Sequence, residues 1–226
     1  MAAHGQCVET FKSEEVVVGM RMLLLAMSAG MLFSVGCGAG EVVPLDIRAA
    51  QPPVATKTDR VKVAVGVFED ARPDNEVRAD KARIGIRTHV AGGETFFTIK
   101  GGQLGPAVSQ VVADYLTERG LDAWVTKPGD GRTPDVSLTG RVLDLRAHAN
   151  SRLGWTELAV RTKIYVEAVN LADQSAVRMT LNGEGQDIKT VFDPPDLERL
   201  LNEALNDSLK EFLSDTNISN RMLRLK

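Results

Sequence analysis

Leu158, Val160, Thr162, Ile164, Val166 and Ala168 alternate with Arg161, Lys163 and Glu167. A period of two over that length means a β-strand with one dry face and one wet face. Such a strand cannot stand alone, because its dry face needs a covering layer. The flanking sequence offers neighbours for it: Val136 to Ala147 before it, and Val177, Met179 and Leu181 after it, with Gly183 and Gly185 near the end of that third strand. Tight polar connections between the three predict an antiparallel meander. Two amphipathic helices offer the cover. Gly105-Pro106 opens the first, since a proline in the first helical turn lacks only an N–H that has no partner there. Val108, Val111, Val112, Tyr115 and Leu116 form its apolar stripe, and Gly120 ends it. Asp193 and Pro194-Pro195 announce the second, whose inward face is Leu197, Leu200, Leu201, Ala204, Leu205, Leu209 and Phe212.

Upstream, Arg60 begins the folded texture. Val61, Val63, Val65 and Val67 lie on one side of a strand, with Ala64, Gly66 and Phe68 on the other, so this strand is expected to be buried on both faces. Residues 69–83 read as a polar loop punctuated by Pro73. Residues 84–90 and 94–100 read as two short strands joined at Gly92-Gly93, a hairpin, and Leu121 to Val125 returns as a strand after the first helix. The sum is a single α+β domain over residues 60–226: a mixed, mainly antiparallel sheet with two helices packed on one face, in a two-layer sandwich. Residues 218–226 are expected to be frayed or lightly docked.

The region before residue 60 has a different character. Met22 to Val35 is a run of about fourteen apolar or small residues preceded by Arg21, short for a membrane span but the right length for an export signal. It ends in Ser34-Val35-Gly36-Cys37, which resembles the bacterial lipobox, where the cysteine thiol receives diacylglycerol. Residues 1–36 are therefore read as a signal peptide, with Met20 followed by Arg21 as the more economical start, and Cys37 as the lipidation site. Cleavage without lipid is the competing reading. Residues 37–59 are rich in Gly, Ala, Pro and Val and read as the lipidated cysteine and a flexible tether, stiffened at Pro52-Pro53. Gly38 follows the cysteine where an aspartate would hold enterobacterial lipoproteins at the inner membrane, so the expected address is the outer membrane, facing the periplasm. Each buried acyl methylene contributes about 0.8 kcal/mol to such an anchor.

Composition limits the partners. A net charge of −3 and an aromatic share of 5% supply neither a basic field nor a stacking platform, so no nucleic acid is expected. The only cysteines, Cys7 and Cys37, both precede the domain, which can hold no disulfide and no cysteine-ligated metal.

Phe68, Asp70, Arg72 and Pro73 after the first strand, then Ile84-Gly85, the helix end Leu116-Thr117-Glu118-Arg119-Gly120 and the final Asp215-Thr216-Asn217-Ile218 together resemble the YajG-like family of bacterial lipoproteins, over most of the chain from Val61 to Ile218. The resemblance implies a periplasm-facing outer-membrane lipoprotein with an α/β sandwich. It implies no biochemical activity.

No constellation commits the domain to a reaction. It has two histidines, His89 and His148, at no metal-ligand spacing, and both read as structural or surface residues. It lacks a phosphate loop and a Gly-x-Ser-x-Gly elbow. Glu69, Asp70, Asp74 and Glu76 suggest a hard cation, but the interleaved Arg72 and Arg78 favour internal ion pairs, and Asp70 and Arg72 are placed to stabilise their own turn. No metal, cofactor or catalytic residue is therefore expected. Trp155, at the start of the alternating strand, reads either as a partner anchor or as a cover for the end of the core. Three functions compete. The first is a non-catalytic binding or adaptor module with an envelope protein partner, held to the membrane by its N-terminal lipid. The second is a carrier of a small envelope ligand such as a lipid or cell-wall fragment, with Phe96, Phe97 and Trp124 lining a pocket between helices and sheet. The last is a hydrolase with an unrecognised site.

Overall fold

The structure, a computed structural model, describes residues 40–49, 61–73 and 81–226. The signal, Cys37, residues 50–60 and the loop carrying Asp74, Glu76 and Arg78 lie outside the described residues. The strands are β1 (Val42–Leu45), β2 (Lys62–Val65), β3 (Glu69–Asp70), β4 (Arg83–Thr88), β5 (Glu94–Ile99), β6 (Asp122–Val125), β7 (Val136–Arg152), β8 (Trp155–Asn170), β9 (Ala176–Lys189), β10 (Thr216–Ser219) and β11 (Met222–Leu225). Helix α1 (Leu104–Glu118) precedes β6, and α2 (Pro194–Ser214) follows β9.

The class is α+β, built on a nine-stranded mixed sheet. Its spine is β7. On one side β7, β8 and β9 form the expected antiparallel meander, with Arg152 opposite Trp155 and Thr156 opposite Lys189. Along its other edge β7 takes three short parallel partners in turn: β2 at Val136, β3 at Arg141 and β4 at Ala147. Gly66 N–H donates to the Leu138 carbonyl (2.7 Å) and Ala71 N–H to that of Val142 (3.0 Å), so β2 and β3 follow one another along the same edge of β7. β6 flanks β2 and β1 flanks β5, both parallel, and the β4–β5 hairpin is antiparallel. The sheet is thus less dominated by antiparallel pairing than expected, because a 17-residue strand has room for several partners on one edge.

The two helices meet different strands. α2 lies against β9, β8 and β1, and α1 against β6, β2 and β3. The seat of α2 explains two residues. Thr162 replaces a hydrophobe in the dry alternation, and its hydroxyl lies 3.0 Å from that of Ser208, both fully buried. Gly183 sits opposite Thr162, and a Cβ there would be 2.0 Å from the Ala204 carbonyl oxygen. Gly183 and Gly185 therefore lie within β9, which runs on to Lys189, where the sequence suggested a strand ending near them. Gly183 is small because the helix backbone rests on it, and Gly185 because the Leu200 and Val160 side chains fill the space beside it. Asp193 holds the N-cap position of α2 without a side-chain cap bond.

Two expectations at the chain's ends change. Within residues 37–59, read as a tether, Val42–Leu45 forms β1 against β5, with Leu45 completely buried. Asp46 N–H donates to Glu198 Oε1 (3.0 Å) and Arg48 N–H to Asn202 Oδ1 (2.8 Å), which ties this segment to α2. Val43 and Leu45 bring enough apolar surface for one short edge strand, a signal masked by the surrounding Gly, Ala and Pro. At the other end, residues 216–225 form the β10–β11 hairpin instead of fraying. Leu223 is buried, and buried Asn170 grips its backbone from both sides: Nδ2 donates to the Leu223 carbonyl (2.9 Å) and Oδ1 accepts from its N–H (2.8 Å).

Candidate functional site

One end of the sheet gathers features that a folded interior would ordinarily absorb. The β4–β5 turn, the β7–β8 turn and the link from β9 to α2 all emerge there, since Thr88 pairs with Asn150, Arg152 with Trp155 and Thr156 with Lys189. Each carries large apolar side chains in the open: Val90 at 57% exposure, Leu153 at 85%, Trp155 at 45%, Ile188 at 68% and Val191 at 77%. The turns themselves are ordinary. Gly92 and Gly93 (φ 86° and 94°) and Gly154 (φ 91°) take left-handed backbone that glycine adopts freely. Their apolar side chains have no local structural reason. The supporting layer is firm: Phe192 stacks at 5.9 Å on Phe97 beneath the Arg87 guanidinium, and Arg87 Nε donates to Ser151 Oγ (3.0 Å).

The start of β1 is at the same end. Phe96 N–H donates to the Glu41 carbonyl (2.7 Å), and His89, Thr95 and Glu41 form a polar chain, with His89 Nε2 2.8 Å from Thr95 Oγ1 and that hydroxyl 3.3 Å from Glu41 Oε2. Gly40 packs so tightly on the Phe96 ring that a Cβ would lie 2.7 Å from it.

The residues singled out from sequence fall in different places. Trp155 is exposed at this apolar end, its indole N–H donating to Glu157 Oε1 (3.3 Å). Phe96 and Phe97 are consecutive strand residues and so point to opposite faces. Phe97 is core, while Phe96 lies beneath the Arg83 guanidinium, 3.6 Å from the ring centroid. Trp124 is buried on β6 under Arg132 (4.2 Å). The structure does not bring the three rings into one pocket. A cavity between α1, α2 and the sheet, lined by Leu116, Leu138, Phe212 and Leu223, measures about 10 Å³, room for about one water. The second histidine, His148, borders a hollow of about 240 Å³ with Arg72, Arg83 and Arg146. Each of those guanidiniums is already engaged: Arg72 with Asp70, Arg83 with Phe96 and Arg146 with Asp144. Among the described residues no group of acidic, histidine or cysteine side chains converges as a metal site. Sequence reading missed Val90, Leu153, Ile188 and Val191, since a lone apolar residue in a turn carries no signal until the turns are seen side by side.

Asp70 and Arg72 do stabilise their own turn. Arg72 donates from Nε and Nη2 to the two Asp70 oxygens (2.8 Å each) and from Nη1 and Nη2 to the carbonyls of Arg83 and Lys81 (2.8 Å each). Burial opposes ionisation of Asp70, but these bonds and the Arg72 charge prevail and hold its carboxyl below the ordinary value. Glu118, beside a second hollow of about 340 Å³ lined by Ile47 and Asp114, shows the reverse. Burial first, then the Asp114 charge, raises its pKa, and Oε2 has no partner among the described residues. Because the folded-state pKa lies above 4.5, ionised Glu118 disfavours the fold at neutral pH, and the penalty fades as pH falls through that pKa. Glu118→Gln is expected to raise the urea midpoint at pH 7, and the gain should vanish when the melts are repeated in acid.

No protein-family model matches the chain, and no curated protein matches it. The α+β arrangement is similar to three solved structures. One is an uncharacterised protein, at 9% identity and a TM-score of 0.48, over 77% of this chain and 97% of that one. Another is protein XCC0632 from Xanthomonas campestris, of the family described as DUF330, at 12% identity and a TM-score of 0.45, over 77% and 93%. The third is the PelC dodecamer from Paraburkholderia phytofirmans, at 13% identity and a TM-score of 0.35, over 70% and 94%. At these values none of the three bears on what this chain does.

Proposed function

We propose that the protein is a periplasm-facing lipoprotein of the outer membrane, anchored through Cys37, of the kind the YajG-like resemblance implies, and that its domain is a non-catalytic binding or adaptor module for an envelope protein. The observation that carries this reading is the nearness of the fold to the lipobox-like Ser34-Val35-Gly36-Cys37: the described fold begins at Gly40, and β1 at Val42. The reading takes both helices to cover one face of the sheet, which the joint packing of Leu116, Phe212 and Leu138 supports. The opposite face, with Arg141 over Tyr165 at 4.9 Å and the Arg161–Glu184 and Arg178–Glu167 pairs, is then left as a broad charged surface for a partner.

Mass spectrometry of the mature N-terminus from a membrane fraction tests the anchor. A chain that begins at diacylated Cys37, with a Cys37→Ala variant recovered away from the membrane, is the expected result. A mature chain that begins elsewhere without lipid would overturn the reading.

A further inference from the structure

From the geometry we infer that the exposed apolar end of the sheet, with Val90, Leu153, Trp155, Ile188 and Val191, rests on the surface of the lipid bilayer as a second membrane contact. This rests on the lipid reading of Cys37 and adds to it an orientation.

The leash decides the occupant. Only Gly38 and Ala39 separate Cys37 from Gly40. Three residues reach at most about 11 Å, and the headgroup layer on one side of a bilayer is itself roughly 6–7 Å thick. A lipid on Cys37 therefore holds Gly40, and with it the end of the sheet where β1 starts, at the headgroups. The strand order outward from that corner is β1, β5, β4, β7, β8, β9. At roughly 4.8 Å per strand, Trp155 on β8 lies about 20 Å from the corner. Tilting the domain about its leash is enough to lay the three turns on the membrane.

The chemistry fits that surface. The apolar side chains stand on separate turns, so they can enter a soft layer together without a complementary pocket. Trp155 offers an apolar ring, and its N–H already has a polar partner in Glu157, the amphipathic arrangement that favours tryptophan at membrane interfaces. Arg152, exposed beside Leu153, suits anionic headgroups. An interior left uncovered would expose core positions, whereas here Phe97, packed against Phe192 of the β9–α2 link, is fully buried.

The chain has only two tryptophans, which makes the test direct. Trp124 sits on β6 near the other end of β7, level with Ser137 while Trp155 is level with Arg152, roughly 50 Å away along the strand. The full-length lipidated protein is reconstituted into vesicles of phosphatidylethanolamine and phosphatidylglycerol with brominated acyl chains, and tryptophan fluorescence is compared with that in unbrominated vesicles. Quenching that disappears in Trp155→Phe, together with protection of Trp155 from aqueous iodide, is the expected result. If the protein is anchored but Trp155 is unquenched by bromine and open to iodide, the contact is overturned while the anchor stands. Protection from iodide in native membranes without quenching in these vesicles would assign the end to a protein partner and equally overturn it. An N-terminus without lipid removes the leash, and both readings fall together.

Discussion

Gly183→Ala is expected to destabilise the domain by about 3 kcal/mol or more, although alanine normally favours a folded backbone over glycine. The added methyl would sit 2.0 Å from the Ala204 carbonyl oxygen and 2.5 Å from Ser208 Oγ, inside the seat where α2 meets β8 and β9. Neither neighbour can yield cheaply. One is helix backbone, and the other is held by Thr162 and by its own bond to the Ala204 carbonyl (2.9 Å). Gly131→Ala is the control. It adds the same methyl where nothing lies within 4 Å, and it should shift a urea midpoint by less than about 0.5 kcal/mol in equivalent stability. If the two variants melt together, the close approach of helix and strand is wrong.

The second large effect belongs to Arg72. Its side chain is almost wholly buried and joins β3 to the residues leading into β4 through four bonds, so Arg72→Met strands a half-buried carboxylate and two carbonyls. Breaking a buried pair from one side costs about 3–5 kcal/mol, and the partial exposure of Asp70 points to the lower figure. Arg72→Lys should not restore the loss, because one ammonium cannot span the carboxylate and both carbonyls. The pH dependence is a separate check. With Arg72 present, the folded-state pKa of Asp70 lies below 3.8, so the pair's contribution is complete above that value and is lost as pH falls through the lowered pKa. The gap between wild type and Arg72→Met should therefore be widest at neutral pH and narrow in strong acid, down to the part carried by the bonds to the Arg83 and Lys81 carbonyls. A lysine variant as stable as the wild type would refute the clip.

Much of the fold was legible because strands with one wet face announce their period. The β7–β8–β9 meander, the β4–β5 hairpin around Gly92-Gly93 and both helices follow from alternation, turn residues and stripes. Less visible was anything decided by partners far away in sequence. Val43 and Leu45 carry too short a pattern to reveal β1, and nothing local says that β2, β3 and β4 share one edge of β7. The hairpin at the C-terminus depends on Asn170, more than fifty residues earlier. The candidate surface was legible only at Trp155. Leu153, Val191 and Val90 are unremarkable in their own turns and become a surface when β7 brings those turns to one end.

The fastening of β1 has a consequence for the order of events in synthesis. Asp46 and Arg48 bond to Glu198 and Asn202, more than 150 positions later in the chain. A contact that distant closes last, because the loop it completes is nearly the whole domain. Until α2 has emerged and docked, β1 is held by β5 alone, and on the lipoprotein reading proposed above this is when Cys37 is easiest for an enzyme in the membrane to reach. On the same reading, slow docking of α2 would lengthen the time available for acylation without altering Cys37 at all.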